Sequence, residues 1–201
     1  MLPQTSDNFD NSRLGIQWQT NHNATPDGIS VLRRKGWLSI QALSAKKLEK
    51  ARNQLAQKTM GYLSEATVRV STTDMIGGQR AGMALLGGII NGAGVMMDDD
   101  GQIHIYFDEH GHAKPLPQPI LPSHSDVWIR LTINAARQQH QFSYSLDGKH
   151  FTPIGTTFRE WSHGWKGTHI SLYTYTTTHS TVDTQTSPIA HFDDFVYEVE
   201  H

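Results

Sequence analysis

No cysteine occurs among the 201 residues, which removes disulfides, thiolate metal sites and cysteine nucleophiles together. That absence does not fix the compartment, because many exported proteins also lack cysteine. Charge of one sign is lacking too. Seventeen Lys and Arg against nineteen Asp and Glu leave a net charge of −2, so nothing favours nucleic acid or an anionic membrane. No apolar run reaches membrane-spanning length, and no signal peptide is evident. Beginning at Met1-Leu2-Pro3, the chain reads as either a whole protein or a module of a longer one. Gly-x-Ser-x-Gly, phosphate-loop and His-Glu-x-x-His motifs are all missing. Paired carboxylates are scarce as well. A retaining glycosidase needs two about 5–5.5 Å apart. Asp108 and Glu109 are adjacent and point to opposite strand faces; Glu198 and Glu200 share a face but lie at the last, solvated strand end.

What is present suits one all-β domain over 1–201. The chain is 37% hydrophobic and 18% charged. Short β-like runs flank Lys35-Gly36, at 29–33 and 37–41. Ser64 to Ser71 alternates, with Ala66, Val68 and Val70 on one side and Glu65, Thr67 and Arg69 on the other. Ala81 to Leu86 is apolar enough for a strand buried on both faces. Asp98-Asp99-Asp100-Gly101 joins runs at 92–97 and 102–108 as a hairpin. Further strands are expected at 127–134, 139–146, 151–158, 168–175 and 190–199, a spacing typical of a sandwich.

Three stretches resist that pattern. Leu43 to Gln57 is rich in helix formers, with Leu48, Ala51 and Leu55 at helical spacing, so local rules predict a helix. Pro115, Pro117, Pro119 and Pro122 predict a stiff extended loop over 114–122. Thr- and Ser-rich 174–187 reads as an exposed loop.

Leu14 to Asn23 joins an apolar half (Leu14, Ile16, Trp18) to a dense polar half that ends in Asn21-His22-Asn23. Amides and an imidazole beside an indole suit a neutral, hydroxyl-rich ligand; equally, Trp18 suits a core and the Asn residues a turn. Trp161 and Trp165, in a Gly-containing loop, are candidates for an exposed platform. His104, His110 and His112 have a zinc-like composition, but glycine-punctuated Glu109–His112 fits a surface loop better. Calcium suits the oxygen donors Asp7, Asp10, Asp193 and Asp194 if the chain ends adjoin.

Asp7-Asn8-Phe9-Asp10, Leu14-Gly15-Ile16-Gln17-Trp18-Gln19 and Asn21-His22-Asn23 resemble the opening of the concanavalin A-like C-terminal module of family 43 glycoside hydrolases. Ala51 to Thr59, Ser64 to Val68, Ala81 to Leu85, Phe142 to Gly148 and Ala190 to Phe195 resemble its later blocks. Thr20 and His191 depart from it, since the family more often has a Trp and an acid there. The resemblance implies a concanavalin A-like jelly-roll sandwich of two antiparallel sheets, one concave, and a strand from about Arg52 in place of the helix; the strand is the reading adopted. It also implies a module joined to an N-terminal catalytic propeller of a β-xylosidase or α-arabinofuranosidase, with no catalysis of its own. The expected role is binding of xylan or a related neutral plant polysaccharide; the alternative is an accessory domain that completes the parent active site, and a sandwich hydrolase is the outsider. Expected sugar contacts are Trp18, Asn21, His22, Asn23, Arg52, Asn53 and Tyr106. Asp10 and Asp193 are the expected ligands of a structural Ca2+. A secreted or periplasmic location with a bacterial parent enzyme is the corresponding expectation.

Overall fold

Alternation at Ser64–Ser71 produces a strand with one dry face: Ala66, Val68 and Val70 are fully buried, while Glu65, Thr67 and Arg69 keep partial exposure. The same logic repeats along the computed structural model, which describes residues 4–160, 167–177 and 188–200. Fifteen strands and no α-helix occur among the described residues. They are β1 (Gln19–Thr20), β2 (Ile29–Arg34), β3 (Trp37–Gln41), β4 (Leu43–Ser44), β5 (Gln54–Lys58), β6 (Leu63–Ser71), β7 (Gln79–Leu86) and β8 (Ile90–Met97). The rest are β9 (Ile103–Glu109), β10 (His112–Leu121), β11 (Asp126–Asn134), β12 (Gln139–Ser145), β13 (Thr152–Phe158), β14 (His169–Thr176) and β15 (Ile189–Val199).

Two sheets result. The first runs β1-β5-β14-β7-β8-β9-β10, with β4 beside the end of β14; the second runs β13-β12-β11-β6-β15-β3-β2. Only the short β4–β14 pairing is parallel. Inward residues of both sheets, such as Met83, Val95, Ile105 and Leu172 from the first and Val68, Ile129, Leu131 and Phe192 from the second, share one core. This is the all-β sandwich of two sheets that was expected. The chain ends adjoin, as the calcium expectation required: the Asp7 and Phe195 backbones exchange hydrogen bonds of 2.8 and 3.0 Å.

The three resistant stretches resolve differently. Residues 43–57 are not a helix: a single 3₁₀ turn at Leu48–Lys50 separates β4 from β5. Pairing on both edges, with β1 and β14, buries Gln54 to Gln57 and outweighs their helix propensity. The proline stretch is not a loop but most of the edge strand β10, its ladder interrupted between Pro115 and Ile120. Proline is tolerated there because an edge leaves N–H positions without a partner strand. Thr174 to Thr176 are the buried end of β14, not a loop; 178–187 lie outside the described residues.

Across the outer face of the second sheet, register places Arg34 beside Trp37 and Trp128 beside Arg69. The Arg34 guanidinium stands 4.0 Å from the Trp37 ring, and Arg69 lies 4.9 Å from Trp37 and 5.4 Å from Trp128. Arg69 is fixed by Asp126, through Nε at 3.1 Å. The cations cover indole faces that would otherwise meet water.

His140 on β12 is 2% exposed and packs 5.5 Å from the Phe158 ring. Burial lowers its pKa from 6.5 to about 4. Unfolded imidazole therefore takes up a proton first as pH falls, and stability present above about 6.5 is lost towards pH 4. The expected loss is roughly 2–3 kcal/mol, with His191 shifted in the same direction by its own burial. Urea unfolding at pH 7.5 and 4.5 should show it. His140→Leu should keep only the smaller part owed to His191, and an unchanged difference would contradict the assignment.

Candidate functional site

On the outer face of the first sheet, register sets Tyr173, Gly82, Gly94 and Tyr106 in one row across β14, β7, β8 and β9. The two glycines leave the middle of the row bare. A Cβ on Gly82 would stand 2.1 Å from the Ala93 oxygen, and one on Gly94 would stand 2.0 Å from the Ala81 oxygen. The tyrosines reach over this floor from opposite sides, and their hydroxyls meet at 2.5 Å. Arg80 Nη1 donates to the Tyr175 hydroxyl at 3.0 Å, its guanidinium 5.6 and 6.0 Å from the Tyr175 and Tyr106 rings. Asp108, fully buried, accepts the Gly111 N–H at 2.7 Å. Burial pushes its carboxyl up, opposed by the Gly111 amide and the Arg80 charge. Burial also lifts the Tyr106 and Tyr173 hydroxyls well above their ordinary range, so both stay protonated.

A strap of the chain's own residues closes this face. Between β4 and β5, residues 45–51 bring Ala45, Leu48 and Ala51 onto the tyrosine cluster. Leu48 is 0% exposed, and a Cβ on Gly92 would meet its Cδ2 at 2.7 Å. Gln54 ties the strap from below, its Nε2 donating to the Leu48 and Ala51 carbonyls at 3.0 and 2.9 Å. Tyr106, Tyr173 and Tyr175 consequently have no exposed surface. Beside the strap lies a groove of about 430 Å³ between the 3₁₀ turn, the β7–β8 turn and the β9–β10 turn.

The expected sugar contacts separate into two groups. Trp18 is a core residue, its ring 4.9 Å from Phe195 and 5.9 Å from Phe9, and its Nε1 donates to buried Asp7 at 2.9 Å. Asn53 is fully buried, its amide spent on Thr25 and on the Gln41 carbonyl, and Tyr106 lies under the strap. These three have no surface to offer a ligand. Asn21, His22, Asn23 and Arg52 do come together at the strap's edge. Asn21 Nδ2 donates to Gln54 Oε1 at 3.4 Å, His22 Nε2 lies 3.3 Å from the Glu49 carbonyl, and Arg52 Nη2 donates to the Asn23 carbonyl at 3.1 Å. His22, Asn23 and Arg52 are exposed. Trp161 and Trp165 lie outside the described residues.

Asp10 and Asp193 lie close enough for the Asp10 charge to raise the Asp193 carboxyl, after burial and beside Asp194. Asp193 Oδ2 faces Arg69 Nη1 at 3.7 Å, and Asp10 Oδ2 accepts Asn8 Nδ2 at 2.7 Å. Arg69 thus partners Asp193, and Asp7 is committed to Trp18. Among the described residues no group of three or more His, Cys, Asp or Glu is placed to hold a metal ion. His110 is an exposed turn residue, as the surface-loop reading expected, and His112 is the exposed first residue of β10.

Two further constellations have a catalytic look. Glu65 and Glu198 face each other across β6 and β15, yet Glu65 is paired with Arg130 at 3.1 Å and accepts from Thr132 at 3.2 Å. Ser39, His191 and Asp74 form a Ser–His–Asp chain of 2.9 and 2.8 Å, but Ser39 is 1% exposed and reaches no substrate. Sequence reasoning missed Asp7 as the partner of Trp18, and it missed the strap. Asp7 and Trp18 are eleven positions apart, and no local pattern links them.

Residues 6–198 match the family described as the beta-xylosidase C-terminal concanavalin A-like domain. A putative beta-xylosidase of Xylanibacter ruminicola is 34% identical over 171 residues, covering 85% of this chain and 31% of that protein. A beta-xylosidase of Formosa agariphila is 30% identical over 195 residues, with 86% and 32% covered. Among solved structures, a bifunctional GH43-CE protein of Bacteroides eggerthii superposes with a TM-score of 0.81 at 25% identity, over 98% of this chain and 26% of that one. A GH43 glycoside hydrolase engineered for endo-xylanase and exo-arabinofuranosidase activity shares the fold, with a TM-score of 0.84 at 20% identity over 98% and 41%. The chain spans about a third of the length of these curated relatives.

Proposed function

This chain belongs to the beta-xylosidase C-terminal concanavalin A-like domains, and from that premise we propose that it serves as the accessory sandwich of a family 43 glycoside hydrolase. In this reading it supports a catalytic domain acting on xylan-type sugars and has little affinity for the polymer by itself. One observation carries the proposal: among the described residues, neither outer sheet face offers an open aromatic platform. The first is closed by the strap over Tyr106, Tyr173 and Tyr175, and on the second Trp37 and Trp128 are covered by Arg34 and Arg69. Among the described residues only Tyr62 has a well-exposed aromatic ring, at 77%. A polysaccharide binder stacks sugar faces on such rings.

The second reading, xylan binding by the isolated chain, is favoured by the exposed Asn21–Asn23 and Arg52 cluster, which supplies neutral donors and acceptors. Removal of this domain from the glycosidase that carries it separates the two. The accessory role predicts at least a tenfold loss of kcat/KM on xylobiose, and no hydrolysis by the isolated chain. Full activity without the domain would contradict it, and so would turnover by the chain alone that a single Asp or Glu substitution abolishes.

A further inference from the structure

The groove beside the strap is built rather than incidental. Its floor and rim come from Gly87, Gly88, Ile89 and Ile90 of the β7–β8 turn, from His110 and Gly111 of the β9–β10 turn, and from Leu48 and Glu49 of the strap. Each wall is fixed from behind. Buried Leu48 sits on Gly92, and Gln54 binds the strap carbonyls. His110 and Gly111 take left-handed φ values of 56° and 84°, and Asp108 holds the Gly111 amide. The strap also meets that turn directly, since a Cβ on Gly111 would be 3.2 Å from Lys47 Cδ. Asp108 Oδ2, buried just behind this wall, has no well-formed hydrogen bond among the described residues.

The chemistry of the lining selects the ligand. Leu48, Ile89 and Ile90 offer aliphatic surface, the two glycines at 87 and 88 bring main chain to the floor, and Glu49 and His110 supply directional polar groups. His22 extends the polar rim, 3.3 Å from the Glu49 carbonyl. Among the described lining residues the one anion, Glu49, is neutralised by Lys47 at 2.7 Å and Lys50 at 3.2 Å, and the Glu160 carboxylate that lies against Gly87 accepts the Thr168 hydroxyl. The volume of about 430 Å³ lies at the small end of ligand sites. We propose that this groove binds the end of a neutral saccharide, one or two sugar rings, gripped by aliphatic contact, by sugar hydroxyls donating to the Glu49 carboxylate and by hydrogen bonds with His110 and His22. Among the described residues the lining holds no aromatic ring, which sets weak affinity, a Kd of roughly 1–10 mM. It also sets end-recognition, since the groove holds too little for a long chain.

This inference rests on the chain being a glycosidase module, but its test is independent of the rate assay. The 15N-labelled chain is titrated with xylobiose, with maltose as a comparison sugar, and its amide resonances are followed. Xylobiose is expected to shift Gly87, Gly88, His110 and Gly111 in fast exchange, saturating in the millimolar range. Glu49→Ala and His110→Gly, both at exposed positions, should each weaken that binding at least threefold while the remaining spectrum stays that of the folded chain. Saturable shifts with maltose of equal affinity would still support a saccharide groove and deny it selectivity. No shift at these four amides with up to 50 mM of either sugar overturns the proposal (a ceiling about fivefold above the weakest expected Kd), as does a shift confined to another surface. A rate loss on domain removal without these shifts would leave the accessory role standing and this groove wrong.

Discussion

Gly82→Ala is expected to destabilise the chain by about 3 kcal/mol or more, seen as a fall in melting temperature of roughly 6–12 °C. The added Cβ would sit 2.1 Å from the Ala93 carbonyl oxygen and 2.7 Å from the Gly94 Cα, both backbone atoms with no rotamer to change. Relief requires moving β7 against β8, and that pairing lies in the middle of the first sheet. Gly94→Ala should cost a similar amount for the reciprocal reason, its Cβ falling 2.0 Å from the Ala81 oxygen. The double variant should cost less than the sum, because one separation of the strands relieves both contacts. A melting temperature within about 2 °C of wild type for either single variant would show that the tyrosine row does not depend on a bare floor.

Leu48→Ala is the second large effect. A fully buried leucine truncated in a packed site costs about 2–5 kcal/mol. Here the loss falls on the contact that holds the strap to Gly92 and Tyr173. The strap carries Lys46, Lys47 and Lys50, so its release has a direct readout. Trypsin should cut at these sites several-fold faster in the variant under native conditions, since cleavage follows local opening. Destabilisation below about 1 kcal/mol with unchanged cleavage would mean that the Gln54 hydrogen bonds alone secure the strap.

Twelve of the fifteen strands follow from alternation, from the continuous apolar run at 81–86, from turn signals such as Asp98–Gly101 and from the resemblance at 52–58, because a half-buried strand writes its burial into alternate residues and a fully buried one into an unbroken apolar run. The other three were not legible for different physical reasons. Gln19–Thr20 and Leu43–Ser44 are two-residue pairings, too short to carry a period. His112–Leu121 has the composition of a loop, and only its edge position makes its prolines compatible with a strand. For the candidate site, residue type was a poor guide to exposure. Trp18 and Tyr106 invite a stacking role by chemistry, yet Asp7 and the strap, distant in sequence, decide that both are enclosed. Asn21, His22, Asn23 and Arg52 were legible because a polar cluster around a tight turn stays at the surface whatever packs beneath it.

Affinity electrophoresis of the intact chain in gels containing soluble arabinoxylan tests most directly whether the closed sheet faces leave the domain without a polymer-binding surface. The account predicts the same mobility with and without polysaccharide, since groove binding at chain ends of roughly millimolar Kd is diluted by the scarcity of ends. Clear retardation, corresponding to a Kd below about 100 μM, would contradict it and restore independent xylan binding as the role of this domain.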